Sequence, residues 1–394
     1  MSSANDYQVE VQPRIADISG AAWDACANPD ATRFDPFVTH AFLKALEDAG
    51  TVGGRTGWSP RHLVLKKSGL EAVIACAPCY AKVHSQGEYV FDHAWADAFA
   101  RAGGDYYPKL QIAVPFTPVP GRRLLVNPAL GDANGETLLA TAAAQLVERS
   151  DLSSAHITFL SHGEWERLGA HGFLQRMDQQ FHWTNAGYAT FDDYLSSLAS
   201  RKRKTMRKER EQAVSGLAIE WRRGQEITEA DWDTFFAFYM QTGSRKWGRP
   251  YLNRKFFSLL GDSPIGDRCL LMLAKCGSRA IAGSFHLVGG DCLYGRYWGA
   301  FEHRPFLHFE MCYYQAIDYC IQNRIARAEA GAQGEHKIAR GYLPTRTYSA
   351  HYIADPSLRR AIADYLTRER AYVEAACEEL ADYAPFRKGL PDQA

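Results

Sequence analysis

The chain has 394 residues, more than one ordinary compact core organises, so two domains of roughly 150–200 residues are expected. Basic and acidic side chains balance at 45 each, so net charge argues neither for nor against a polyanionic partner, and only the local distribution of charge can. Hydrophobic residues at 46% and aromatics at 12% exclude a chain that is disordered throughout.

The opening MSSANDYQVEVQPRIADISG has neither the basic start nor the apolar core of a signal peptide. No window approaches the run of about 20 apolar residues that a spanning helix needs. Nine cysteines scattered through apolar segments fit reduced, buried thiols better than a disulfide framework. These features point to a cytoplasmic protein without membrane insertion. Strands are expected near 61–67, 71–83, 88–92, 109–114 and 122–126, then a helix at 136–149 and a strand at 155–160. Cys76-Ala-Pro-Cys79 has redox spacing, but it lies inside the apolar run AVIACAPCYA with no helix opening behind it, which favours packing. The loop VPFTPVP at 114–120 carries three prolines and is stiff and non-helical.

Near 185–215 the composition turns abruptly basic, placing a boundary between domains 1–190 and 191–394. Arg201 to Arg210 holds seven basic residues in ten, either a solvated helix face or a phosphate-binding strip in which Arg203, Lys204 and Arg207 take part. Residues 229–246 read as a helix burying Trp232, Phe235, Phe236, Tyr239 and Met240 on one face. Strands follow near 268–275, 279–288 and 291–299. A helix at 308–323 sets Phe309, Cys312, Tyr313, Ala316, Ile317, Cys320 and Ile321 on one stripe, and a small-residue strand at 326–331 comes next. A closing helix spans 357 to about 382. Strands, a helix and a returning strand make an α+β arrangement. Leu65 to Ala75 echoes Leu273 to Gly283 with four identities in eleven positions and a turn at Gly69 or Gly277, each continuing into an aromatic strand ending at Trp95 or Trp298. That echo makes a duplicated domain plausible.

Between the strand at 326–331 and a second alternating strand at 347–352 lies GAQGEHKIARGYLPTRTYSAHY, with glycines, charge and almost no aliphatic residues. A polar turn of this kind can supply a general base and cationic donors for an oxyanion or phosphate. Glu335 and His336 could take the proton, Glu329 is a third candidate, and Lys337 or Arg340 could hold an oxyanion or phosphate. Tyr297 and His308 line the strand-to-helix crevice. Glu88 and Asp92 are expected on one face of a strand, as a binding pair or an exposed edge. The thirteen histidines show no metal-ligand spacing, so no metal is expected.

The segments YWGAFEHRPFLHFEMCYYQAIDYCI, EAGAQGEHKIARGYLPTRTYSAHYIAD, HSQGEYVFDHAWADAF and YYPKLQIAVPFTPVPGRRLL resemble the FemAB-like N-acyltransferases, a branch of the GNAT superfamily, and the similarity runs from about residue 8 to 385. The resemblance implies two tandem GNAT-like domains, each a mixed, mostly antiparallel sheet flanked by helices. It also implies transfer of an acyl or aminoacyl group from acyl-CoA or aminoacyl-tRNA to an amine of a small molecule or peptide. By the same resemblance Lys337 contacts substrate phosphates, and His84, Glu88, Asp92, Lys109 and Thr117 match positions near the groove between the domains. One departure stands out: Ala300 to His308, where GNAT enzymes carry a glycine-rich pyrophosphate loop, has no glycine past Gly299 and contains Pro305. A catalytically inactive polyanion- or RNA-binding protein using helix 201–210 is the alternative from another class.

Overall fold

The computed structural model describes residues 7–130, 134–246, 250–332 and 334–387. Fifteen strands are numbered in chain order among them. The first eight are β1 (Tyr7–Gln12), β2 (Trp58–Pro60), β3 (His62–Lys67), β4 (Leu70–Ala77), β5 (Cys79–Lys82), β6 (Lys109–Ile112), β7 (Leu125–Val126) and β8 (Ser154–Leu160). The rest are β9 (Leu174–Thr184), β10 (Ala218–Arg223), β11 (Cys269–Cys276), β12 (Arg279–Val288), β13 (Cys292–Ala300), β14 (Arg327–Glu329) and β15 (Leu343–Ile353).

The chain divides into two compact units, both discontinuous in sequence: one takes residues through Ala31, Phe37–Asp178 and Arg346–Ala375, and the other takes Thr32–Pro36, Gln179–Thr345 and the segment from Ala376. The division falls inside β9 rather than near residue 190, and the chain after Thr345 returns to the first unit instead of staying in the second. Burial drives this return. Ala350 of β15 is fully buried in the core with Ile157, while Leu358, Ile362 and Leu366 of the helix Pro356–Ala381 pack with Trp95 and Tyr106.

In the first unit β1, β3, β4 and β7 form an antiparallel sheet in that order. A second run has the order β2-β5-β6-β8-β15, antiparallel except for the β6–β8 pair. The helix Gly135–Arg149 presents Leu139, Ala143 and Val147, four apart and so on one face, to a core with Leu65, Ile74, Ile112 and Ile157. The continuous strand expected over 71–83 is broken at Pro78, whose missing N–H ends β4, and the chain re-enters a different sheet as β5. Cys76 and Cys79 flank that break as buried free thiols, each pushed up by burial, which is a packing environment. No strand forms at 88–92. Gly87 and Tyr89 both take positive φ (84° and 58°), the chain loops, and Trp95 sits in the helix His93–Arg101 instead of ending a strand.

In the second unit the strand order is β10-β11-β12-β13-β14-β9, antiparallel except for the parallel β13–β14 pair. Parallel neighbours need a crossover, and the helical segment from Leu307 to Gln322 supplies it. The turns at Gly69 and Gly277 have φ of 78° and 60°, so the two echoing stretches are both hairpins with a left-handed glycine. Within the crossover, residues Glu310–Tyr314 make a π turn, which accommodates an extra residue and rotates the following face. Met311 and Tyr314 therefore enter the core, while Phe309 and Cys312 of the expected stripe stay partly buried. The helix Glu229–Lys246 buries Trp232, Phe235, Phe238 and Tyr239, whereas Met240, one step round the helix from Tyr239, is exposed.

That helix crosses β13 so closely that a Cβ on Gly299 would lie 2.1 Å from the carbonyl oxygen of Phe238. Gly299→Ala should cost about 1–3 kcal/mol through forced backbone displacement, read as a lower denaturant midpoint at unchanged slope.

Candidate functional site

The polar site of the second unit begins at the end of β14. Alternation along this short strand sends Ala328 into the core and Arg327 and Glu329 to the opposite face. Glu329 lies opposite Tyr294 of β13 and His182 of β9. Its Oε1 accepts a 2.6 Å hydrogen bond from Arg327, which also reaches Asp291 at 3.4 Å. Its Oε2 is buried with no hydrogen-bond partner among the described residues, and the Nε2 of His182 is 3.9 Å away. Burial pushes the Glu329 carboxyl up to about 7 against the opposing pull of Arg327. Burial, helped by the charges of Arg327 and Lys337, holds His182 down at about 3, so this imidazole is neutral.

Immediately after β14, positive φ at Gly331 (79°) and Gly334 (117°) turns the chain into a 3₁₀ segment, Glu335–Arg340, closed by Gly341 in the left-handed region. The segment that periodicity leaves as a loop thus has one tight helical turn, which exposes Glu335 and His336 and buries Lys337 and Arg340. Lys337 Nζ donates 2.7 Å to the carbonyl of Gly331 and has no carboxylate partner among the described residues. Burial brings its pKa down to about 8. His336 Nε2 is 2.9 Å from the Tyr313 hydroxyl, and the rings of His308 and Phe309 lie 6.4 and 5.8 Å from its own.

Arg340 stacks its guanidinium 3.4 Å from the centre of the Phe309 ring, donates 2.7 Å to the His336 carbonyl and pairs with Glu209 at 3.0 Å. Glu209 also accepts from the Tyr314 hydroxyl. Its neighbour Arg210 grips the fully buried Glu310 at 2.9–3.2 Å, and Gln315 donates to the same carboxylate at 2.7 Å. The π turn and the 3₁₀ turn are therefore both pinned by the helix Ser200–Ala213 that carries the basic run. Arg207 pairs with Asp192 at 3.0 Å, while the side chains of Arg203 and Lys204 make no ion pair or hydrogen bond among the described residues.

Of the residues singled out from sequence, Glu329, Lys337, Arg340, His336 and His308 are linked through shared neighbours here. Glu335 is exposed beside them. Tyr297 belongs to the aromatic layer under the helix Glu229–Lys246, its ring 5.0 Å from Tyr239. His182 was missed, because only pairing between β9 and β14, more than 140 residues apart, sets it against Glu329. No group of three or more His, Cys, Asp or Glu that could hold a metal is present among the described residues.

In the first unit Glu88, Asp92 and Lys109 come together, though on a loop rather than the strand expected for the two carboxylates. Lys109 Nζ reaches Glu88 at 2.7 Å, Asp92 at 2.5 Å and Ser85 at 2.8 Å. Lys82 pairs with the other oxygen of Glu88 and sits 3.6 Å from the centre of the Trp58 ring. Tyr106 donates to Asp92 and meets His156, whose Nδ1 is 2.7 Å from that of His351. Burial takes Lys82 down to about 8. It would raise Asp92, but Lys109 and His156 hold that carboxyl well below its usual range. Two lysines face two carboxylates, so the buried charge balances. His84 stands outside this network with Nε2 against the Thr56 carbonyl at 2.9 Å, and Thr117 donates to the Pro115 carbonyl.

Removing one member of a balanced buried network strands the others, so Lys109→Ala should destabilise by about 3–5 kcal/mol in urea titration. Lys337 has the opposite sign. A lysine whose folded pKa lies below its ordinary 10.5 loses stability wherever it is charged, that is below about pH 8, and recovers it as pH rises through 8 toward 10.5. Lys337→Met should therefore raise stability at pH 7 by about 1–3 kcal/mol, a gain that shrinks above pH 8 in pH-dependent melting.

No curated protein matches the sequence. Among solved structures the chain is similar to FemX at a TM-score of 0.54 and 14% identity, covering 88% of this chain and 98% of FemX. It is similar to L-PGS from Bacillus licheniformis at 0.50 and 8% identity, covering 86% and 97%. It also resembles a conserved protein of unknown function from Bacteroides thetaiotaomicron at 0.50 and 11% identity, covering 88% and 100%. At these identities the likeness is one of fold, α+β with mixed, mostly antiparallel sheets flanked by helices. The family signal is in the sequence: residues 14–388 match the FemAB-like family, described as peptidoglycan biosynthesis/recognition, and the chain belongs to that family.

Proposed function

We propose that this FemAB-like acyltransferase takes an aminoacyl group from aminoacyl-tRNA and passes it, in the cytoplasm, to an amine of a peptidoglycan-precursor peptide. The observation that carries the choice of donor is the segment Ala300 to His308. A CoA pyrophosphate is held by backbone N–H groups that glycines leave open. Here Pro305 has no N–H, the Phe301 N–H is already bonded to the Ile281 carbonyl, and Phe306 occupies the left-handed region at φ 61°. Glu302 adds negative charge, paired with Arg279 and 3.6 Å from Arg304. In place of a cradle the unit offers the basic helix, on which Arg201, Lys202, Lys204 and Lys208 are exposed. Such a strip attracts a phosphate backbone through counterion release.

In the reaction the acceptor nitrogen attacks the ester carbonyl, the C–N bond forms, the ester C–O bond breaks, and the terminal ribose hydroxyl leaves with a proton. His336, held by Tyr313, takes the proton from the attacking amine, with exposed Glu335 beside it. Lys337 is charged at neutral pH and unopposed by a carboxylate, so a phosphate or developing oxyanion relieves the cost of its burial. Arg340, committed to Glu209 and Phe309, holds the turn that carries both residues.

The test is transfer of a radiolabelled group to a precursor pentapeptide with a side-chain amine, with charged tRNA or acetyl-CoA as donor. Label should pass from charged tRNA, and Lys337→Ala, still folded, should lose about 100-fold or more in kcat/KM. Transfer from acetyl-CoA alone, or full activity of the variant, overturns the assignment.

A further inference from the structure

Among the described residues of the second unit, one buried carboxylate oxygen is left without a hydrogen bond. Glu329 Oε2 has no hydrogen-bond partner, although the residue is only 4% exposed. Buried carboxylate oxygens in native folds are nearly always satisfied, and one left open at a strand end beside a binding turn asks for a ligand. Its surroundings say of what sign. Oε1 is neutralised by Arg327, which is shared with Asp291, so two carboxylates draw on one guanidinium. Asp35 adds further negative charge and Arg296 opposes it, while from β13 Cys292 offers the carboxyl only its weak thiol donor and Tyr294 contributes no cation. His182, facing Oε2 from β9, is neutral and too distant for a hydrogen bond at 3.9 Å. Lys337 could have met the carboxylate, but its Nζ is turned to the Gly331 carbonyl, two residues further along the chain. The next residues, Ala330 and Gly331, are partly exposed.

We infer that Glu329 Oε2 is the receptor for a substrate ammonium group, which makes Glu329 a specificity residue for amino-bearing substrates. The inference rests on the aminoacyl-transfer reading and deepens it. An aminoacyl ester differs from a simple acyl thioester in its free α-ammonium, and a single carboxylate at the right depth separates the two. The acceptor amine is the other source of the same chemistry. Burial raises this carboxyl, Asp35 adds to the rise and Arg327 opposes it, so an arriving ammonium group would favour its charged form.

The experiment uses the whole chain, bulk aminoacyl-tRNA, and the same pool deaminated with nitrous acid to α-hydroxyacyl-tRNA, each with the precursor pentapeptide as acceptor. If the ammonium is the donor's, the wild type has a KM for aminoacyl-tRNA at least about 10-fold below that for the hydroxyacyl pool, and Glu329→Gln erases the difference. If it is the acceptor's, Glu329→Gln raises the pentapeptide KM by a similar factor with either donor. Glu329→Asp, which keeps the charge, should recover part of either effect, and melting curves confirm that both variants are folded. Loss of kcat with every KM unchanged, or no kinetic change at all, overturns the inference while leaving the transfer reading in place. A wild-type protein that uses neither pool overturns the transfer reading itself, and the ammonium inference falls with it.

Discussion

The parallel pairing of β14 with β13 is three residues long, Cys292 to Tyr294 against Arg327 to Glu329, and the candidate site hangs from where it stops. Parallel strands cannot be joined by a tight turn, so the chain must rise through the helical crossover and come back to the same edge. Because the pairing ends at Glu329, the next residues are released from the ladder, and Gly331 and Gly334 can turn the backbone so that Lys337 reaches back to the Gly331 carbonyl. The crossover is itself locked by charge, with Glu310 inside its π turn held by Arg210 and Gln315. Strand end, π turn and 3₁₀ turn form one mechanical unit whose parts have little meaning alone.

Two kinds of buried charge occur in this molecule. In the first unit Lys82, Lys109, Glu88 and Asp92 face one another, and the field of each offsets the desolvation of the next. In the second unit Lys337 has a carbonyl for a partner, and Glu329 shares its arginine with Asp291. Desolvation there is only partly offset, and the two groups are displaced in opposite directions, one down to about 8 and the other up to about 7. Carrying such groups costs stability, which a fold tolerates where the missing counter-charge comes with the substrate.

Much of this was legible in local sequence. The hairpins turning at Gly69 and Gly277 were readable because only glycine takes that backbone easily, and the helices read at 136–149 and 229–246 because their apolar pattern spans several turns. The polar run after Gly331 stood out for its glycines and charge with almost no aliphatic residues, although Ile338 and Tyr342 within it do reach the core. Other features were not legible. The π turn changes helical phase without any signature residue, so the stripe drawn through Phe309 and Cys312 drifted off the true face. Residues 88–92 alternate like a strand, yet the carboxylates of Glu88 and Asp92 are drawn inward by Lys82 and Lys109, which a period-two pattern cannot express.

Sequence by itself determined the family, the α+β class and the chemical character of the turn from Glu335 to Arg340, because each depends on residues close together in the chain. Only the tertiary structure decided that His182 faces Glu329, that Arg340 rests on Phe309 and Glu209, and that the chain after Thr345 belongs with the first unit. The reason is the range of the interactions. Backbone preference and amphipathic period act over a few residues, whereas strand pairing, burial and charge compensation join segments more than a hundred residues apart and exist only once the chain has closed on itself.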